Sequence, residues 1–204
     1  ASHNPLRTTD LLSVAVRSLP WAFTVSAVRF ATNSLGSNED LVSKVYFPKE
    51  IIPISAVLAC AFDVGVASLV LTIVLVIAGV HATVYLLWVP VLILILLLLV
   101  TGASLIASAA GLFFRDVKFL VEIGLTFGIF FTPVFFKTSM FGRFAPYFLF
   151  NPLAPIIEGL DAVIIAGQPP DLAWLTYSGA VAVMALLGGY LFFKRLEPMF
   201  AEYV

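Results

Sequence analysis

Charge is scarce in this sequence. Only 11% of its 204 residues are Asp, Glu, Lys or Arg, and none of the four falls between His81 and Arg115. A stretch of that length without a charge excludes a solvated surface helix, which needs a polar face. The formal net charge of -1 gives no sign of nucleic-acid binding, for which Lys and Arg would cluster on one face. A lone cysteine, Cys60, excludes an internal disulfide and a thiolate metal cage, and in the apolar run 56–62 it is given no role. His3 and His81 lie far apart, and no His, Cys or acidic group has metal-ligand spacing, so no metal site and no catalytic centre are expected. The phosphate loop G-x-x-x-x-G-K-S/T is absent as well, so ATP is not bound here in the P-loop manner.

What the chain has instead is apolar length. Hydrophobic residues make up 61% of it and the mean hydropathy is +1.08. Reading for runs of about 20 apolar residues predicts membrane spans near 11–34, 51–79, 84–113, 119–136 and 172–193, an all-α polytopic membrane helix bundle forming one transmembrane domain over 1–204. The first span is the weakest, because Arg17, Arg29 and Pro20 interrupt it, and it needs neighbours around it. Linkers at 35–50, 114–118 and from 194 onward carry Lys44, Lys49, Arg115, Lys118, Lys194 and Arg195, whereas the 137–171 linker has only Lys137 and Arg143. The cation-rich set is therefore expected in the cytoplasm, with the C-terminus inside. The N-terminus then falls outside without a signal sequence, so a further N-terminal helix and span are expected to precede this chain.

Two linkers have structure of their own. Ser37-Asn38-Glu39-Asp40 resembles a loose capping box, and Leu41, Val42, Val45 and Tyr46 share one helical face before Pro48 ends the helix at Phe47. This short amphipathic helix either lies in the headgroups or docks a cytoplasmic partner. The 137–171 stretch is too apolar for a solvated loop yet broken by seven Pro and Gly residues from Pro146 to Pro170. It is predicted to form re-entrant helices, with Asn151 and Pro152 at the turn and a returning helix over 155–165.

Lone acids and crowded aromatics leave alternatives open. Asp63, deep in the second span, either makes a structural contact with Arg17 or Arg29 or lines a pathway; Glu122 either pairs with Lys118 at the surface or has a function. Phe127, Phe130 and Phe131 share a helical face that suits helix packing, an interfacial belt or a surface on which sugar rings stack. Gly102, Ala103, Ala107, Ala110 and Gly111, and the pair Gly124 and Gly128, allow close helix approach, within one subunit or between two.

The motifs Leu19-Pro20-Trp21, Asn33-Ser34-Leu35, the run from Leu41 to Pro53, Phe114-Arg115-Asp116-Val117, Thr132-Pro133-Val134-Phe135, Asn151-Pro152-Leu153-Ala154 and Ile157-Glu158-Gly159 resemble, in order and spacing, the permease subunits of type-2 ABC exporters, in the O-antigen, capsule and teichoic-acid branch. The resemblance implies a permease homodimer moving a lipid-linked glycan across the bacterial cytoplasmic membrane, with a separate cytoplasmic ABC ATPase subunit holding ATP and Mg. It makes 37–47 the coupling helix, with Glu39, Leu41, Val42, Lys44, Val45, Tyr46 and Phe47 toward the ATPase. It also implies a pathway past Trp21, Asp63, Phe127, Phe130 and Phe131, and an extracytoplasmic gate at Asn151, Pro152 and Glu158. A type-2 exporter of a drug or small lipid would share the fold. A membrane-embedded glycosyl- or phosphotransferase would need acids and cations clustered at one interface, and they do not cluster.

Overall fold

The apolar runs become helices, and proline and glycine mark most of their ends. The computed structural model describes residues 8–44 and 47–200. Its long helices are α1 (Thr8–Ser34), α3 (Ile51–Ile77), α4 (Val89–Phe113) and α8 (Leu172–Leu196). Between them lie α2 (Glu39–Lys44), α5 (Arg115–Gly128), α6 (Ala145–Leu149) and α7 (Leu153–Asp161), and no strand occurs among the described residues. Four segments are long and apolar enough to cross a membrane: Asp10–Ser34, Ile51–Ile77, Val84–Phe113 and Leu172–Met199. The first is also the most enclosed, 44% buried against 11% for the second and 22% for the other two, which is how it accommodates its arginines and Pro20.

The expected span at 119–136 takes a different form. Its helix starts earlier, at Arg115, and ends in a 3-10 turn, Ile129–Phe131. Thr132 is extended (φ -116°, ψ 133°), as a residue before proline prefers, so Pro133 ends the climb. The α-helical part and the turn together rise roughly 27 Å, close to a hydrocarbon core but carrying four charged residues near its start. Residues 132–136 are a ledge rather than a helix end. Similarly, α3 stops at Ile77 because Gly79 (φ 77°) turns left-handed, and the Val80 and Gly79 amides donate to the Leu75 and Val76 carbonyls.

Glycine sets how closely α4 and α8 cross. A Cβ on Gly102 would lie 2.4 Å from the Ala185 backbone, and one on Gly189 would lie 2.4 Å from the Gly102 carbonyl oxygen. The small-residue pattern of the fourth helix is thus used inside one subunit. Gly111 meets Thr32 of α1, and Gly128 meets the Trp21 ring, whereas Gly124 faces open space.

The bundle has two distinct ends. At one, Leu35, Val42, Ile52, Leu105, Phe193 and Phe200 form a buried cluster that ties α2 to α3, α4 and α8. There Lys194 pairs with Glu50 and Glu197, each at 2.9 Å, and Lys118 lies over Gly36. The cation-rich linkers therefore meet at this short-helix end, and residues 132–171 build the opposite, hairpin end.

Replacing Gly102 by Val should force α4 and α8 apart, costing about 1–3 kcal/mol or more by overpacking, whereas Gly188→Ala, which meets nothing within 4 Å, should be neutral or slightly stabilising. Thermal unfolding of the two variants in one detergent compares them directly.

Candidate functional site

The hairpin end is assembled by a charge that the first span cannot bury alone. Arg17 is 4% exposed, and its Nη2 donates to Asp161 Oδ2 at 2.6 Å. Its Nη1 donates to the Phe136 carbonyl at 2.6 Å and the Pro133 carbonyl at 3.3 Å. The Ser13 hydroxyl donates to the other oxygen of Asp161, and Lys137 Nζ stands 3.9 Å from the carboxylate. One guanidinium thus joins α1, the 132–136 ledge and the end of α7. Desolvating such a pair costs several kcal/mol per ion, and the hydrogen bonds around it offset that cost. The partner expected for Asp63 is hence taken: Arg17 pairs with Asp161, and Arg29 pairs with Glu122 at 3.4 Å, not Glu122 with Lys118. Asp63 is exposed on α3.

The turn residues close the same construction. Asn151 Nδ2 donates to Thr132 Oγ1 at 3.0 Å and the Phe131 carbonyl at 3.3 Å, while its Oδ1 accepts from the Leu153 amide at 3.1 Å. Pro152 precedes α7 in helical conformation, where its missing N–H has no role to lose. The returning helix runs Leu153–Asp161 and continues as a π-helical turn, Ala162–Ala166, ended by left-handed Gly167. Glu158 accepts from the Thr138 amide at 2.8 Å and hydroxyl at 2.6 Å, anchoring the 3-10 segment Thr138–Phe144. Tyr177 of α8 donates to the Phe150 carbonyl at 2.9 Å, and Phe150, Trp174 and Tyr177 stack edge to face. The pieces are short and apolar yet pinned at each turn.

Ser13, Arg17, Thr138 and Asp161 were not singled out as site residues from sequence. A signal existed: an arginine in a span requires a counter-charge, and Asp161 is one helical turn beyond Glu158 in an apolar stretch.

Among the expected pathway residues, Trp21 is 9% exposed and packs on Val134 and Ile157. It is a wedge between α1, the ledge and α7 rather than a lining residue. Phe127 of α5 and Phe130 and Phe131 of the 3-10 turn that follows it are 59%, 69% and 68% exposed, so among the described residues most of each ring is left open. A cavity of about 360 Å³ lies between α1, α3, α4 and α7, walled by residues such as Val16, Phe23, Leu71, Leu96 and Leu160. Its hydroxyls, Ser68 and Thr72, donate to carbonyls of their own helix, so it offers apolar contact and no free donor for a sugar.

At the short-helix end, α2 is described over Glu39–Lys44 and follows a 3-10 turn, Gly36–Asn38, so its α-helical part starts two residues past the expected Ser37. Leu41 is 45% exposed, but Val42 is 2% exposed and points into the chain. The expected single apolar face is split, because adjacent helical residues point about 100° apart. Phe47 is partly buried in the same cluster. Val45 and Tyr46, and the side chains of Glu39 and Lys44, lie outside the described residues.

The sequence profile of the ABC-2 type transporter family matches residues 12–165 of this chain. The chain is 30% identical over 190 residues to the O-antigen export system permease protein RfbA of Myxococcus xanthus, covering 90% of this chain and 72% of that protein. It is 27% identical over 190 residues to the protein of the same name from Klebsiella pneumoniae, covering 90% and 71%.

Asp161→Ala should leave Arg17 buried without its counter-ion and cost about 3–5 kcal/mol. The double variant Arg17→Met, Asp161→Leu should recover most of that loss, because it removes both charges. Unfolding temperatures of wild type, both single variants and the double variant measure the coupling; additive effects would mean that the pair does not hold the hairpin.

Proposed function

The chain belongs to the ABC-2 type transporter family, and from that premise we propose that it is the permease subunit of an exporter moving a lipid-linked polysaccharide of the O-antigen kind outward across the bacterial cytoplasmic membrane. It is a multi-pass membrane protein. Energy comes from a cytoplasmic ABC ATPase subunit, which holds ATP and Mg; the short-helix end faces that subunit, and the C-terminus lies inside. Two permease copies form the transporter, with the glycan path between them. The exposed Phe127, Phe130 and Phe131 suit such a path, since sugar faces lie on aromatic rings.

One observation carries the reading: α1 connects the two ends as a single rod. Leu35, just beyond it, packs with Val42 of α2, and roughly 25 Å away Arg17 holds the hairpin. Force on α2 displaces the short-helix cluster, α1 transmits the displacement, and the Arg17 contacts convert it into movement of the 132–161 gate, where Asn151, Pro152 and Glu158 sit. Leu41 supplies the outward contact with the ATPase and Val42 the inward anchor.

Leu41→Asp should reduce co-purification of the ATPase or stop glycan export at unchanged membrane abundance, because Leu41 is exposed. Val42→Asp should instead lower abundance, since it places a charge in the buried cluster. If Leu41→Asp leaves both ATPase binding and export unchanged, α2 does not contact the ATPase.

Orientation is tested in a Cys60→Ala background. A cysteine replacing the exposed Ser37 should be shielded from an impermeant thiol reagent in whole cells, and one replacing Met140, 75% exposed at the hairpin end, should react. The reverse pattern would invert the topology.

A further inference from the structure

We propose that a recess between the short-helix end of α1 and the first turns of α5 binds the phosphate of an anionic phospholipid. The recess, about 330 Å³, is bounded by Arg29, Thr32, Asn33, Lys118, Phe119 and Glu122. It holds two cations and one carboxylate. Glu122 lies 3.4 Å from Arg29, and both side chains are about half exposed, so this pair is weak and orients the guanidinium more than it neutralises the site. Lys118 is half-buried and makes no hydrogen bond or ion pair among the described residues. Asn33 Nδ2 donates to the Arg29 carbonyl and Thr32 Oγ1 to the Val28 carbonyl, so neither supplies charge.

Two glycines leave room for the Lys118 side chain, one at its head and one at its stem. A Cβ on Gly36 would lie 3.3 Å from Lys118 Nζ, and one on Gly111 would lie 3.8 Å from its Cγ. The charged head therefore lies close to the backbone at position 36, at the edge of the recess. Depth selects the ligand. Arg29 lies five residues inside the end of α1 at Ser34, roughly 7.5 Å, and Lys118 is in the first turn of α5, which places both at the headgroup boundary. Phe30 and Phe119, each 64% exposed, flank them with apolar surface suited to acyl chains. A cationic floor with an apolar flank at that level fits a membrane phosphodiester better than a soluble anion. This site stands whatever molecule the permease exports.

The test is native mass spectrometry of the full-length subunit released from nanodiscs containing equal phosphatidylglycerol and phosphatidylcholine. Wild type should retain phosphatidylglycerol in clear preference. Lys118→Gln and Arg29→Gln should each lower that preference roughly fivefold, the effect of one cation at an anionic surface. Lys118→Arg should keep it, and Lys137→Gln, at the other end, should leave it unchanged. Equal retention of the two lipids by wild type, or a preference that survives the Arg29→Gln, Lys118→Gln double variant, overturns the site. Saturable binding of inorganic phosphate without any lipid preference overturns the lipid assignment.

Discussion

Arg17 is the constraint around which the hairpin end is organised. A guanidinium buried within a helix that crosses lipid has no water to solvate it, so its acceptors must come from protein. Two of those acceptors, the Pro133 and Phe136 carbonyls, belong to a ledge with no regular ladder of its own, and the third, the Asp161 carboxylate, stands at the end of α7. Non-helical backbone at membrane depth persists only when protein satisfies it, and the arginine does so for two carbonyls at once. Charge and ledge each lower the other's cost, with Arg17 Nε left without a partner among the described residues. Trp21, one turn along α1, fills the space between the same elements, and Gly128 makes room for its ring.

The rest of the bundle is held differently. Between α4 and α8 no charge is involved; backbones touch at Gly102 and Gly189, and dispersion over close-packed small residues does the binding, as expected where lipid removes the hydrophobic drive between helices. That seam is a fixed frame. Against it, α1 bridges a polar junction at one end and an apolar cluster at the other, while α5 meets α1 at Trp21 and the Arg29–Glu122 pair and packs Val121 and Leu125 on the core. An element held by a few specific contacts beside a rigid seam suits a transporter that must move without unfolding. The weakly buried α3 and the exposed rings of Phe127, Phe130 and Phe131 leave lateral surfaces for lipid or a second copy.

The two ends also differ in chemistry, which bears on function. The short-helix end gathers cations in its linkers and encloses a cluster of large apolar side chains, including Phe193 and Phe200. A soluble partner pressing there meets a packed base rather than a loose loop, since the cluster around Val42 ties α2 to α3, α4 and α8. The hairpin end is held from inside by polar contacts at Arg17, Asp161, Glu158 and Asn151, and it exposes many apolar side chains besides Lys137, Arg143 and Asp171. Those contacts tie its short pieces to one another and to α1.

Hydropathy made four spans legible, because a run of apolar residues long enough to cross lipid has one stable outcome. Proline and glycine placed the hairpin with equal directness: Asn151 and Pro152 stand at the turn, since the residues that cannot continue a helix are local in their effect. What the sequence did not disclose was pairing. Arg17 and Asp161 are separated by most of the chain, and nothing local prefers that acid over Asp63, which lies in a neighbouring span. The same holds for α2, where periodicity joined Leu41 and Val42 on one face while packing against Phe193 and Phe200 turned one inward and left the other out. Spans and breaks follow from local solvation and backbone geometry, which sequence carries residue by residue; partners depend on which helix faces meet in space, and only the tertiary structure decides that.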